Sequence, residues 1–267
     1  MTGGRNKFES SADFSWESAL KLPEAAYAGN RRIPKAMLVR QALLTKTEQK
    51  TLDKVKLLTH FATVQKSTAR ILPLVDEGHD IQSVLFLRCE LDASEAYADI
   101  ARLIHKCFPN PTVILFGGFE GACISVAVTR KSHAEQGAIV IERTESTGRF
   151  FPGDEAYGPF WDAIAFARLP QDNLLNYVEE IAWNIQLSRA LGTLGFYPTC
   201  VEVDRPKLMS LVKKNNEKQK QIEDAFWRRR WEKDLTLNET AKLRIQEKKL
   251  KQEQDLIAKQ IKEICHE

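Results

Sequence analysis

The sequence predicts an α+β fold: a mostly antiparallel sheet with helices packed on one face, followed by a C-terminal helical hairpin or coiled-coil arm. Two patterns carry this prediction. From residue 71 to residue 141, short apolar runs separated by turn residues give the order strand, strand, helix, strand, strand, strand. From residue 205 onward, Pro206 is the only Gly or Pro residue, which is typical of long continuous helices.

These patterns divide the chain into three parts. Residues 1–20 are polar and contain Gly and Ser, so we expect a loosely ordered N-terminal lead-in. Residues 21–204 form the α+β domain. Residues 205–267 form a basic helical arm. A chain of 267 residues is long enough for one hydrophobic core with such an appendage.

Two helices are predicted before the sheet. After a turn at Gly29-Asn30, Pro34 suits the first position of a helix that runs toward Leu43. Thr45 and Glu48 have the spacing of a capping box, which opens a second helix. That helix would carry three apolar side chains on one face: Leu52, Val55 and Leu58.

The sheet is predicted from two hairpins and one further strand. Residues 71–75 and 84–91 form the first hairpin, and residues 112–116 and 122–128 form the second, through a glycine-rich turn. Residues 138–141 follow as the third strand of that second group. Between the hairpins an amphipathic helix is marked by apolar side chains at steps of three and four: Tyr97, Ile100, Ile104 and Cys107.

Further helices follow the sheet. Residues 160–169 favour a short helix, and a longer one ends near Gly192 and Gly195. The longer helix is marked by Leu174, Val178, Ile181 and Ile185. In the arm, Thr236 and Glu239 again have capping-box spacing, so two helices meet near residues 235–238.

Charge is distributed unevenly along the chain. The whole sequence has 39 Lys and Arg against 36 Asp and Glu, a net charge of +3. Residues 205–267 carry 17 basic and 11 acidic groups, so the arm has a net charge of +6 and the remainder −3. The excess lies in residues 205–230, because residues 231–267 contain eight groups of each sign.

The second helix of the arm carries a line of apolar residues spaced by seven: Leu243, Leu250, Ile257 and Ile264. The other seam positions are mostly polar, so we interpret this line as part of an antiparallel helical hairpin or coiled coil that needs a partner surface. A protein partner is one possibility, and a homo-oligomer built on the arm is another.

The segment Phe226-Trp227-Arg228-Arg229-Arg230-Trp231 is the sharpest local feature. Arginines interleaved with aromatic side chains suit phosphates and bases, but Trp and Arg also dominate protein interfaces. A third interpretation is a helix whose Phe226 and Trp227 pack on the core. The candidate partner-binding residues are Phe226, Trp227, Trp231, Leu243, Leu250, Ile257 and Ile264. The candidate nucleic-acid-binding residues are Arg228, Arg229, Arg230, Lys213 and Lys214.

The chain shows few patterns of catalysis or metal binding. Five cysteines occur without C-x-x-C spacing, which favours free, mostly buried thiols in a reducing cytoplasm. The five histidines are scattered, so we predict no metal site, no cofactor and no catalytic residue. No apolar run is long enough to span a bilayer, and residues 1–18 do not have the pattern of a signal peptide.

A degenerate magnesium-dependent nuclease is the alternative function. Restriction-type nucleases need an Asp and then Glu-x-Lys on a neighbouring strand. The strand carboxylates Glu90 and Glu142 have no Lys two positions later, and the Glu-x-Lys sequences of this chain fall in predicted helices.

The order of four short motifs resembles a bacterial family, the domain-of-unknown-function family 4391. The motifs are LPEA at residues 22–25, RIPK at 32–35, IHKCFPNP at 104–111 and LPQDNL at 169–174. The resemblance covers roughly residues 20–197. Ile33, Pro34 and Lys35 match its N-terminal motif and Asn173 a later one, and neither match assigns a role. Members are usually encoded beside helicases and DNA methyltransferases of restriction or phage-defence type.

The resemblance implies an accessory role in antiviral defence. We therefore expect a non-enzymatic adaptor subunit of a bacterial DNA-processing or phage-defence assembly. Its arm would dock to a helicase or DNA methyltransferase, and its arginines would contact DNA.

Overall fold

The computed structural model describes residues 14–91, 97–118, 121–135, 137–151, 153–232 and 235–266. It contains two compact units, Met1–Ile185 and Gln186–Glu267. A long helix begins at Arg205, where we predicted the start of the arm, whereas the second compact unit begins earlier, at Gln186.

The first unit contains both helices and strands. Its strands are β1 (Tyr27–Arg32), β2 (Val55–Val64), β3 (Leu74–Val75), β4 (Asp80–Ile81), β5 (Val84–Leu91), β6 (Thr112–Gly118), β7 (Cys123–Lys131) and β8 (Ile139–Ser146). Its helices are α1 (Trp16–Leu20), α2 (Lys35–Gln41), α3 (Lys46–Asp53), α4 (Lys66–Ala69), α5 (Tyr97–Lys106) and α6 (Gly158–Ile164). Helix α7 (Leu174–Leu194) continues past Ile185, and α8 (Arg205–Trp231) and α9 (Leu237–His266) follow in the second unit.

Six strands form one mixed sheet in the order β1-β2-β5-β6-β7-β8. Strands β5 and β6 are parallel and are connected through α5, while the other four neighbouring pairs are antiparallel. The predicted α+β class and the mostly antiparallel sheet are therefore confirmed. The hairpin of β6 and β7 is also confirmed, and the predicted third strand extends to Ser146.

The predicted first hairpin is wrong. Strand β3 pairs with the short β4, through Leu74 and Ile81, and not with β5. Strand β5 instead lies between β2 and β6, so that Arg88 faces Thr59 on one side and Leu115 on the other. With a neighbour on each side, β5 has the backbone hydrogen-bonding groups of both edges paired. The two-residue strand β3 is too short to pair with the whole of one edge.

Residues 55–64 are strand β2, although we predicted that Val55 and Leu58 continue the face of a helix. The Thr45 capping box is present, but α3 ends at Asp53. The register of β2 shifts between Val55 and Leu57 and again between His60 and Ala62. Because these irregularities interrupt the two-residue alternation, buried side chains recur at a step of three, which imitates a helix.

Strand β1 was also missed, because Gly29-Asn30 was interpreted as a turn between elements. Both residues have the positive φ that a turn requires, 69° and 53°. They lie inside β1, where the register with β2 shifts between Tyr27 and Arg31. The local backbone was therefore predicted correctly, but it forms a bulge at a sheet edge.

Helices α2, α3 and α5 cover one face of the sheet. Their apolar side chains share one cluster with the strands, including Leu38, Leu52 and Ile104 against Cys89 and Phe116. The central strands β6 and β7 are buried on their other face as well. There the Arg143 guanidinium on β8 lies 3.3 Å from the Glu179 carboxylate of α7.

The end of the predicted lead-in is folded, although residues 1–13 lie outside the described residues. Ser15 caps α1 by accepting a hydrogen bond from the backbone N–H of Ser18, at 3.0 Å. Trp16 is buried, and its ring contacts Phe14 at 5.2 Å and Trp161 at 6.1 Å between centroids. Burial of a large indole offsets the cost of ordering this short segment.

The second unit contains the predicted helical hairpin. Lys218 on α8 lies 2.6 Å from Glu253 on α9, whereas Arg229 further along α8 lies 3.4 Å from Glu247. The α9 residue number falls as the α8 number rises, so the two helices are antiparallel. The Thr236 capping box is confirmed, because its backbone N–H and hydroxyl both donate to Glu239.

Candidate interaction surface on the helical arm

The heptad line of α9 lies inside the second unit. Leu243, Leu250 and Ile264 are buried, Ile257 is partly buried, and α9 packs along α8. These side chains therefore have a partner surface within their own chain. They are not on the outside of the arm, where we predicted that they bind another protein.

The other predicted partner-binding residues form an exposed aromatic cluster, the aromatic tip, made of Phe226, Trp227 and Trp231. Trp227 is 53% exposed and Trp231 67%. The two indoles stack, with centroids 6.3 Å apart and planes inclined by 21°. Phe226 is partly buried and meets Trp227 edge to face at 5.4 Å. The interpretation in which Trp227 packs on a core is therefore wrong.

The three neighbouring arginines are held differently. Arg228 pairs with Glu232 at 3.3 Å, and Arg229 pairs with Glu247 at 3.4 Å. The guanidinium carbons of Arg229 and Arg230 lie over the Phe226 ring, 5.5 Å and 5.9 Å from its centroid. Within the described part of the chain, Arg230 has no carboxylate partner. Two of the three charges are thus already compensated by acidic neighbours.

Lys213 and Lys214 are exposed on α8 but lie far from these arginines. At 1.5 Å per residue, Lys213 and Arg228 are separated by about 22 Å along the helix axis. The predicted nucleic-acid-binding set therefore does not form one patch.

The strand carboxylates of the nuclease hypothesis are not neighbours. Glu90 on β5 pairs with Arg88 at 3.2 Å, whereas Glu142 on β8 lies 3.8 Å from the His79 ring. Strands β6 and β7 separate them, which at about 4.8 Å per strand corresponds to roughly 14 Å. Among the residues with described positions, no three His, Cys, Asp or Glu side chains are grouped as metal ligands.

The glycine-rich turn after β6 leads into another strand, as predicted, although Phe119 and Glu120 lie outside the described residues. Gly118 has a φ of 115°, and a Cβ there would lie 2.9 Å from the Leu91 carbonyl oxygen. This glycine therefore permits a close approach of β6 to the end of β5.

A buried histidine network joins α5 to three strands, and spacing along the sequence did not reveal it. His105 uses one ring nitrogen toward the Thr112 hydroxyl and the other toward Ser125 Oγ at 3.0 Å. Ser125 Oγ in turn accepts from Ser146 Oγ at 2.9 Å. Burial lowers the pKa of His105 to about 3, so the ring is neutral at physiological pH. Both ring nitrogens form hydrogen bonds inside the core, which is typical of a histidine with a structural role.

The cysteines are free, as predicted, and Cys89, Cys107 and Cys123 are buried. Burial raises the pKa of the Cys89 thiol to about 12 and that of Cys107 to about 11. Buried protonated thiols are poor nucleophiles. No helix in the described ranges combines the length and the apolar character that a membrane span requires.

The fold and the surface together define a class of protein: a mixed-sheet α+β unit continued by a helical hairpin that exposes an aromatic tip. The chain belongs to the family described as domain of unknown function DUF4391, whose model matches residues 20–253. This match extends beyond the resemblance over residues 20–197 and includes all of α8. No curated protein matches the chain, and no solved structure does.

Proposed function

We propose that this protein is a non-enzymatic accessory or adaptor subunit that binds a protein partner through the aromatic tip. The observation that supports this proposal is the pair of stacked indoles, Trp227 and Trp231, which are both more than half exposed. An indole that remains in water forgoes a large hydrophobic gain. Tryptophan is also the residue type most enriched among the side chains that dominate binding energy at interfaces.

The surroundings of the tip favour a protein over a nucleic acid. The Trp227 and Trp231 rings stack on each other with centroids 6.3 Å apart, so part of the ring surface on which an unpaired base would stack is already in contact. Arg228 and Arg229 are paired with carboxylates and contribute little net charge. Among the described residues of this segment, Arg230 remains as a single uncompensated cation beside an apolar surface. The complementary partner has an apolar pocket with an acidic residue at its edge.

The proposed partner class is a helicase or DNA methyltransferase of a bacterial restriction or phage-defence system. It follows from the gene neighbours that the family resemblance implies. The α+β unit would then serve as a second docking platform, and the assembly rather than this chain alone would act on DNA.

The test compares two pairs of exposed apolar residues of the arm. The proteins encoded beside the gene are identified, any helicase or DNA methyltransferase among them is purified, and its binding to the full chain is measured by calorimetry. Replacing both Trp227 and Trp231 by alanine should weaken the complex at least 100-fold, because each such truncation typically costs about 2 kcal/mol or more.

The control replaces Ile245 and Leu256 of α9 by alanine, since these side chains are 69% and 61% exposed. This variant should bind like the wild type. The proposal is wrong if neither neighbouring enzyme binds, or if both double variants lose the same affinity. Mass measurement adds one further outcome: a homodimer that only the tryptophan variant dissociates would assign the tip to self-association.

A further inference from the structure

Helix α9 is almost neutral in sequence, but its charges are segregated by face. It contains seven Lys and Arg against five Asp and Glu. At 3.6 residues per turn, five of the cations project within an arc of about 80° around the helix axis. We name these five residues the α9 basic stripe: Arg244, Lys248, Lys251, Lys259 and Lys262.

The stripe is exposed and only weakly compensated. All five side chains are exposed. Lys251 pairs with Glu247 at 2.9 Å, and the other four have no carboxylate partner in the described ranges. Asp255 is the one acidic residue of α9 that falls within the same arc. The stripe therefore carries an excess positive charge over about 27 Å of helix.

Helix α8 adds to this surface at one end. Arg229, Arg244, Lys248 and Lys251 line a shallow groove around Glu247. Hydrogen bonding from Lys251 lowers the pKa of Glu247, so its carboxylate is charged and holds Arg229 and Lys251 in place. Arg244 and Lys248 remain available at the rim of the groove.

We propose that the α9 basic stripe binds the phosphate backbone of duplex nucleic acid. Lysine is depleted at the cores of protein interfaces, so a lysine-rich stripe is a poor protein-docking surface. It suits a phosphate backbone, where each contact displaces a condensed counterion. Helix α9 contains no Phe, Tyr or Trp on which unpaired bases could stack, which favours a duplex over a single strand.

The α9 basic stripe is distinct from the aromatic tip. Of the α8 residues that we predicted to contact nucleic acid, Arg229 adjoins the stripe at the groove around Glu247. Counting charges along the sequence placed the basic excess in residues 205–230 and found residues 231–267 balanced. The balance hides the asymmetry, because four of the five acidic residues of α9 project outside the arc of the stripe.

The test measures fluorescence anisotropy of a labelled 25-base-pair DNA duplex with the full chain over a range of salt concentrations. About four phosphate contacts give a slope of log K against log salt of roughly −3 to −4. Replacing Lys248 and Lys259 by alanine should make this slope shallower by about 2 and weaken binding more than tenfold at about 0.1 M salt.

The matched control replaces Lys242 and Lys249, which are also exposed on α9 but project about 120–140° away from the middle of the stripe's arc. Both variants lose two lysines, so a response to net charge alone would affect them equally. Equal losses, no duplex binding at 50 mM salt, or tighter binding of an Asp- and Glu-rich peptide or a single strand would each overturn the proposal. Alanine at Trp227 and Trp231 should leave the slope unchanged, which separates this stripe from the protein-docking tip.

Discussion

Replacing His105 by leucine should lower the free energy of unfolding of the first unit by about 2–4 kcal/mol at neutral pH. The substitution removes the acceptors and donors that the buried Thr112 and Ser125 hydroxyls use. Thr112 then loses its ring partner, whereas Ser125 keeps the hydrogen bond from Ser146. A buried hydroxyl left without a partner costs about 1–3 kcal/mol, and each lost hydrogen bond about 0.5–1.5 kcal/mol. Urea unfolding of the full chain, followed by circular dichroism, measures this change.

The same variant should respond less to acid than the wild type. The pKa of His105 is about 3 in the folded protein and about 6.5 in the unfolded chain. The unfolded state therefore binds the proton more tightly, and the contribution of His105 to stability is lost as the pH falls from about 6.5 toward 3. Between pH 7.5 and 5, the wild type should lose about 2 kcal/mol that the variant retains.

The exposed His133 provides the control. Replacing it by leucine should leave both the stability and its pH dependence within about 0.5 kcal/mol of the wild type. A penalty for the His105 variant that stays constant from pH 7.5 to pH 5 would show that the ring is not held neutral by burial.

Local signals in the sequence predicted the local hairpin and the described helices except the two shortest, α1 and α4, because these elements depend on residues close in the chain. The capping boxes at Thr45 and Thr236 and the apolar spacing of α5 all correspond to helices in the structure. The pairing of β5 could not be predicted in the same way. Its neighbours β2 and β6 are fixed by contacts between distant segments, and bulges in β2 remove the alternation that identifies a strand.

The candidate surfaces also combine features that the local sequence predicts with features that depend on how distant segments pack. The aromatic and arginine residues at positions 226–231 predicted an interaction surface in that segment. The structure shows that Trp227 and Trp231 are exposed. The heptad spacing predicted the packing face of α9, but it did not show whether α8 or another protein covers that face. In the structure α8 covers it. The basic stripe on the outward face was hidden because a charge count along the sequence adds all faces of the helix together.

Alanine substitutions of two leucines of α9, one on its inner face and one on its outer face, should differ in their effect on the free energy of unfolding. Leu250 is 8% exposed and Leu256 is 61% exposed. Replacing Leu250 by alanine should destabilise the hairpin by about 2–4 kcal/mol, because it removes buried methyl groups and leaves a cavity. The matched Leu256→Ala substitution should change the free energy of unfolding by less than about 0.5 kcal/mol.

Hydrogen–deuterium exchange of α8 and α9 in the full chain measures this difference locally. The Leu250 variant should speed exchange along both helices, since each covers the apolar side chains of the other. The Leu256 variant should exchange like the wild type. If Leu250 were instead a partner contact on an exposed face, its alanine variant would keep normal exchange and lose only partner affinity, and the packing of the heptad line against α8 would be disproved.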